Sequence, residues 1–271
     1  MSLKRHCLEF KFTWQRLCRK MFFPDIDYVF FGAILVLLCS AAAHIFHFEK
    51  TRFILLFFGF VLLTLFMIYR STFLGIFISF NFLETNFFLP WCISFLALAG
   101  SLSSRDHSLW ESLVFPVCLL LLFAVPLPRG VLPPSVKGET IFVSLFFFSE
   151  ILALTCFISG GWLAMMNLFK RNESIQFQSL IFWGFLLYSI AQVMGACWSY
   201  LGWSIPFHWN GRHLQSVAIW CFYGALAHWK FMPRGSRKQE AGLALAGAVI
   251  IIVFSLLGQI NESSMPRLEV H

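Results

Sequence analysis

TIFVSLFFFSEILALTCFISGGWLAMMNL, residues 140–168, holds a single charged side chain, Glu150. A helix crosses a bilayer with roughly 20 apolar residues. The stretch is longer than that, so it tilts or extends past the hydrocarbon core. In lipid every backbone N–H and C=O needs a partner inside the segment, which leaves helices and closed barrels as the spanning structures. Barrel strands would be near 10 residues long and would alternate in polarity. The quoted run does neither, so it reads as a helix.

Working outward, similar apolar runs lie near 27–47, 52–69, 83–100, 109–126, 178–199, 214–231 and 241–259. Together they predict an all-α, polytopic integral membrane protein with about eight transmembrane helices. Composition agrees: of 271 residues, 59% are hydrophobic, 12% are charged and 35 are Phe, and the mean hydropathy is +0.76. Soluble domains carry about 25% charged residues, so lipid is the expected solvent for the surplus apolar surface. Residues 1–23 form a basic N-terminal tail, 24–262 the membrane domain and 263–271 a C-terminal tail. The N-terminal tail has no uninterrupted apolar core, so no cleavable signal peptide is expected.

The net charge of +7 sits between the apolar runs, where it sets topology and meets anionic lipid. Nucleic acid is not an expected partner. Loops 169–177 and 230–240 are basic and are expected on the cytoplasmic side. Loop 200–213, one span away from each, is then extracytoplasmic. The tail, with Lys4, Arg5, Lys11, Arg16, Arg19 and Lys20, falls on the outer side with eight spans, against the positive-inside rule. Either one early segment does not span, or the tail is an exception or a basic interfacial helix. None of the eight cysteines forms a C-x-x-C pair, and most lie in apolar runs, where cysteine behaves as a small hydrophobe.

The chemically distinctive stretch runs from Gly195 to His228. Trp198, Trp203, Trp209 and Trp220 surround a short outer loop that also holds His208 and His213. One interpretation is an aromatic belt at headgroup level. The other is a platform for a flat apolar ligand, built from aromatic faces and a few polar groups. Haem is such a ligand, and His is its usual iron ligand.

Gly195, Ala196, Trp198, Trp203, Trp209, Trp220 and His228 resemble, in register, the loop of CcsA/ResC-type cytochrome c assembly proteins. These are the WWD-domain haem-handling membrane proteins related to CcmC and HemX. Arg70, Gly75, Asn81, Glu84 and Trp91 resemble a second motif of that family, and FVSLFFFSE (Phe142 to Glu150) a third. RGSRKQE with Leu257-Gly258 resembles the last helix. The resemblance covers roughly residues 50–262. Phe142 stands where the family has its first external His, the segment after the last helix lacks the second, and Trp209-Asn210 replaces Trp-Asp.

The resemblance implies haem held at the outer loop and presented to apocytochrome c, beside a CcsB/ResB-type membrane partner. The membrane would be a bacterial cytoplasmic or a thylakoid-type membrane. His228 matches the family's intramembrane His, and its alternative is a snorkelling residue beside Trp229 and Lys230. His208 or His213 is a candidate replacement for the missing axial ligand, the alternative being two solvated loop histidines. Asn81, Glu84 and Glu150 are expected as structural or partner-contacting groups, because embedded carboxylates are costly without a partner or a function. His44 and His47 read as an interfacial pair or a coordinating one, and Glu111 as a helix-start carboxylate. No nucleophile or acid–base pair stands out, so no catalytic residue is assigned. Two other classes remain: a haem-free regulatory or interaction protein on the same scaffold, and a small-solute transporter, for which no inverted repeat is visible.

Overall fold

The computed structural model describes residues 24–74, 82–104, 106–126, 141–170, 176–207, 211–231 and 236–264. Asn81, His208 and Trp209 lie outside these residues, and Glu84 and Trp203 contribute backbone only. The described residues form nine α-helices: α1 Pro24–Ile45, α2 Glu49–Leu74, α3 Phe82–Ser103, α4 His107–Glu111, α5 Val114–Ala124, α6 Ile141–Lys170, α7 Gln176–Trp203, α8 Gly211–Ala227 and α9 Arg237–Ser264. A 3₁₀ turn, Trp229–Phe231, follows α8.

Six segments are long and apolar enough to cross a membrane: Asp27–Ile45, Glu49–Ser71, Thr85–Ser103, His107–Ala124, Ile141–Phe169 and Gln176–Gly202. They coincide with the first six expected spans, and the chain is a multi-pass integral membrane protein. The seventh and eighth expected spans fall on α8 with its 3₁₀ turn and on α9. With 17 residues, α8 alone is about 26 Å long, just short of the ~30 Å hydrocarbon core.

The run quoted at the outset becomes α6, the hub of the fold. It packs most extensively against α7 and α9, and also against α3. Its contact with α9 is close because both surfaces are small. A Cβ on Gly161 would run into the Cβ of Ala248 and lie 2.9 Å from the Ala244 carbonyl oxygen. Small residues bring helix backbones together in this way where lipid offers no hydrophobic drive for association.

A second centre joins α1, α2 and α3, where the rings of Phe30, Phe66 and Phe87 lie 5.0–5.7 Å apart. The Arg70 guanidinium sits 4.7 Å from the Phe87 ring centre, a cation–π contact that helps keep a buried charge in place. Trp91 Nε1 donates to Thr64 Oγ1 at 2.8 Å, which gives a half-buried indole N–H its partner between α2 and α3.

The fourth expected span, 109–126, is two helices joined at Ser112–Leu113. The physical reason is Pro116. Its ring excludes the carbonyl four residues earlier, that of Ser112, and it offers no N–H to that carbonyl. The Ser112 carbonyl is taken instead by Phe115 N at 3.1 Å. Ser112 Oγ accepts from Trp162 Nε1 at 3.0 Å, so α6 supports the break. Glu111 therefore closes α4 and is buried, which corrects its expected place as a helix-start carboxylate.

The α1–α2 turn is tight, with His47 in the left-handed region (φ 60°) and Phe48 N donating to Ala43 O at 3.0 Å. His44 and His47 part company here. His44 sets its ring edge-on to Phe115 at 5.5 Å, while His47 makes the turn.

Candidate haem-handling surface and a buried ion pair

Two ends of the bundle can be told apart. Gln176 Nε2 lies 3.3 Å from Ser104 Oγ, and Gln178 Nε2 donates to Glu240 Oε2 at 2.6 Å. The start of α7 thus shares one end with the α3–α4 turn and the start of α9. That end carries the basic loops. The far end of α7 carries the Trp loop.

At the Trp end, α7 finishes with a left-handed residue, Ser204 (φ 59°), whose N–H bonds Tyr200 O at 2.7 Å. Ser199 Oγ donates to Ile205 O at 2.7 Å and redirects the chain out of the helix. A non-glycine residue in this conformation carries about 1 kcal/mol of steric cost, and such strain gathers where a chain direction matters. Ser204→Gly is expected to raise stability by up to about 1 kcal/mol, readable as a higher denaturation midpoint in detergent.

Trp198 belongs to a small cluster with Val143, Phe146, Phe147 and Ala191. Its indole stacks on the Phe146 ring, with centroids 6.3 Å apart and planes 26° apart. Trp220 lies elsewhere. Its Nε1 donates to Ser189 Oγ at 2.9 Å, and its ring is 5.7 Å from that of Phe185. Ser189 precedes Trp198 by nine residues on α7, about 13 Å of helical rise. The two described indoles therefore sit at different depths, one against α6 and one against the middle of α7. His213 is half-buried and meets Phe207 edge-on at 5.2 Å.

His228 directly follows α8 and is exposed. Its Nδ1 is 2.7 Å from the Gly224 carbonyl oxygen. A carbonyl only accepts, so Nδ1 carries the hydrogen and Nε2 keeps its lone pair. This is the orientation a metal-binding imidazole takes when its other nitrogen is held by the backbone. Glu150 is buried within α6 at 9% exposure, and Asn86, Thr85 and Arg70 are buried likewise.

Sequence reasoning missed the most polar interior feature, which lies at the basic end. Arg52 of α2 and Glu111 of α4 form an ion pair through Arg52 Nε and Glu111 Oε2, at 6% and 5% exposure. Arg52 Nη1 lies 3.4 Å from Ser108 Oγ, Ser101 Oγ donates to Glu111 Oε1 at 3.3 Å, and Ser40 Oγ holds the Arg52 carbonyl at 2.9 Å. His107 Nδ1 donates to the Ser101 carbonyl. The signal was present: an arginine at the edge of one apolar run and a glutamate in another, both at the same membrane face.

No family model matches the chain. The cytochrome c biogenesis protein CcsA of Prochlorococcus marinus strain MIT 9303 is 28% identical over 96 residues, 35% of this chain and 30% of that protein. CcsA of strain MIT 9301 is 23% identical, with 71% of this chain and 76% of that protein covered. The chain is a divergent relative of the CcsA-type proteins. The match to the MIT 9303 CcsA spans about a third of that protein's length. A solved structure, the cytochrome c haem lyase CcmF, shares the fold with a TM-score of 0.68 at 13% identity, over 86% of this chain and 48% of that one.

Proposed function

We propose that the chain is a membrane component of cytochrome c biogenesis that handles haem at the extracytoplasmic face for attachment to apocytochrome c. It would act beside a CcsB/ResB-type membrane partner, in a bacterial cytoplasmic or thylakoid-type membrane. The carrying observation is the likeness to proteins named for cytochrome c biogenesis over most of the chain. Haem is cargo in this scheme, and iron needs an imidazole nitrogen with a free lone pair. His228 supplies one at Nε2 because Gly224 holds Nδ1. Trp220 keeps its N–H on Ser189 and remains 41% exposed, so it presents apolar surface on the helix that leads to His228. Trp198, Trp203 and Trp209 would form the outer surface, with His208 or His213 as the ligand there, whereas His228, about 22 Å along α8 from His213, would contact haem at a separate, inner position. Asn81, Glu84 and Glu150 would brace the scaffold.

The test is an absorption spectrum of the detergent-purified protein. A Soret band is expected. His228→Ala is expected to lower copurified haem at least tenfold or so, the scale on which even a supporting group alters metal affinity. An unchanged band after changing both His208 and His213 to Ala would remove those two as ligands. A wild-type protein without a Soret band, even after incubation with haem, overturns the proposal. The haem-free regulatory or interaction protein would then stand, and the separate depths of Trp198 and Trp220 favour it.

A further inference from the structure

Above the Arg52–Glu111 pair lies an open groove of about 620 Å³ between the start of α2, the end of α3 and α4. We infer that this groove is a binding site for a lipid bearing a zwitterionic phospho-amine headgroup. Glu49, Asp106 and His107 Nε2 would receive the ammonium, and Lys50 the phosphate.

The groove's charge pattern selects the ligand. Its floor is neutral as a unit, since Arg52 and Glu111 satisfy each other and bond to Ser108 and Ser101. Its rim is mixed: Glu49, Lys50, Asp106 and His107 line it and are all exposed. An anion without a cationic arm would face two carboxylates, and a bare cation would face Lys50. Like charges repel both. A molecule that carries both signs a few ångströms apart matches the rim. His107 is prepared to accept from an ammonium N–H, because its Nδ1 donates to Ser101 O and Nε2 of the neutral ring keeps its lone pair. Among the described residues no group of three His, Cys, Asp or Glu could hold a metal ion, which argues against a cation site.

Position selects the source. The groove opens at helix ends, at headgroup level. Phe53, Leu102 and Leu109 form its apolar side, and Leu102 is 74% exposed, so an acyl chain can leave along it into the bilayer. The volume falls within the roughly 300–1,000 Å³ usual for small-molecule sites. The groove lies at the opposite end of α7 from the Trp loop, so the inference stands apart from the haem proposal.

Phosphatidylethanolamine and phosphatidylcholine separate the idea cleanly. Both are zwitterionic, but only the primary ammonium can donate hydrogen bonds to Glu49 and Asp106. The full-length protein, delipidated in mild detergent and offered equal amounts of both lipids, is examined by native mass spectrometry. Retention of phosphatidylethanolamine over phosphatidylcholine by roughly five- to tenfold is expected, the scale of one charge-assisted hydrogen bond. Asp106→Asn and Lys50→Ala should each erase most of that preference, whereas Lys238→Ala, an exposed basic residue at the same end, should keep it. All three side chains are exposed, so unfolding midpoints should not move. Equal retention of the two lipids overturns the inference, as does a preference that survives both rim variants. Soluble phosphoethanolamine should bind more weakly than the lipid, and equal affinity would reassign the groove to a free metabolite.

Discussion

Arg52→Ala is expected to destabilise the protein by about 3–5 kcal/mol, the cost of leaving one member of a buried ion pair alone. Glu111 would be the stranded charge. It is 5% exposed, lies inside a membrane-spanning segment, and would keep the Ser101 hydroxyl at 3.3 Å as its hydrogen-bond donor. Its side chain is buried beneath the groove's rim, so the loss should exceed that of any surface charge, for which about 0–1 kcal/mol is usual. Unfolding of the purified protein in mixed micelles measures it. The double variant Arg52→Met with Glu111→Leu should recover most of the loss, because apolar residues of similar volume often replace a buried pair without penalty. A double variant as unstable as Arg52→Ala alone would show that shape, rather than charge, governs the contact between α2 and α4.

Gly161→Leu should be nearly as damaging. The first added carbon already meets Ala248 and approaches the Ala244 carbonyl, and both are anchored in α9, so relief requires moving a whole helix. Overpacking of this kind costs about 1–3 kcal/mol, and more where backbone must shift. Gly161→Ala should show a smaller loss in the same direction. Gly242, on α9, has open space around it, and Gly242→Ala should be neutral or stabilising by up to about 1 kcal/mol. Similar losses at Gly161 and Gly242 would mean that glycine flexibility, and not close approach, is what the chain needs.

Much of the architecture was legible because lipid imposes a single rule. Long apolar runs become helices, and the run around Glu150 became the most connected one. The break at Ser112 was readable in principle from Pro116, but hydropathy averages over a proline and sees one span. The candidate site was less legible. Trp198 and Trp220 flank one loop in the sequence, which suggests a common seat. Helical rise turns the nine residues between Gly211 and Trp220 into more than two turns of depth. The indole of Trp220 consequently pairs with Ser189 in the middle of α7, and Trp198 turns to Phe146. The partnership of Arg52 with Glu111 joins residues far apart in sequence and follows from α2 lying beside α4. Composition carries no information about such neighbours.

The indole of Trp220 has one more role, through the helix on which it sits. Its N–H on Ser189 and its ring near Phe185 act with buried Tyr223, stacked on Phe157 at 3.5 Å, to fix how far α8 is rotated about its own axis, and His228 follows the end of that rod. Ser189 thereby shares in setting the compass bearing of an imidazole that it never touches. Loss of that hydroxyl would leave the stack of Tyr223 on Phe157 to hold the bearing, with the backbone bond at Gly224 keeping the imidazole on its turn.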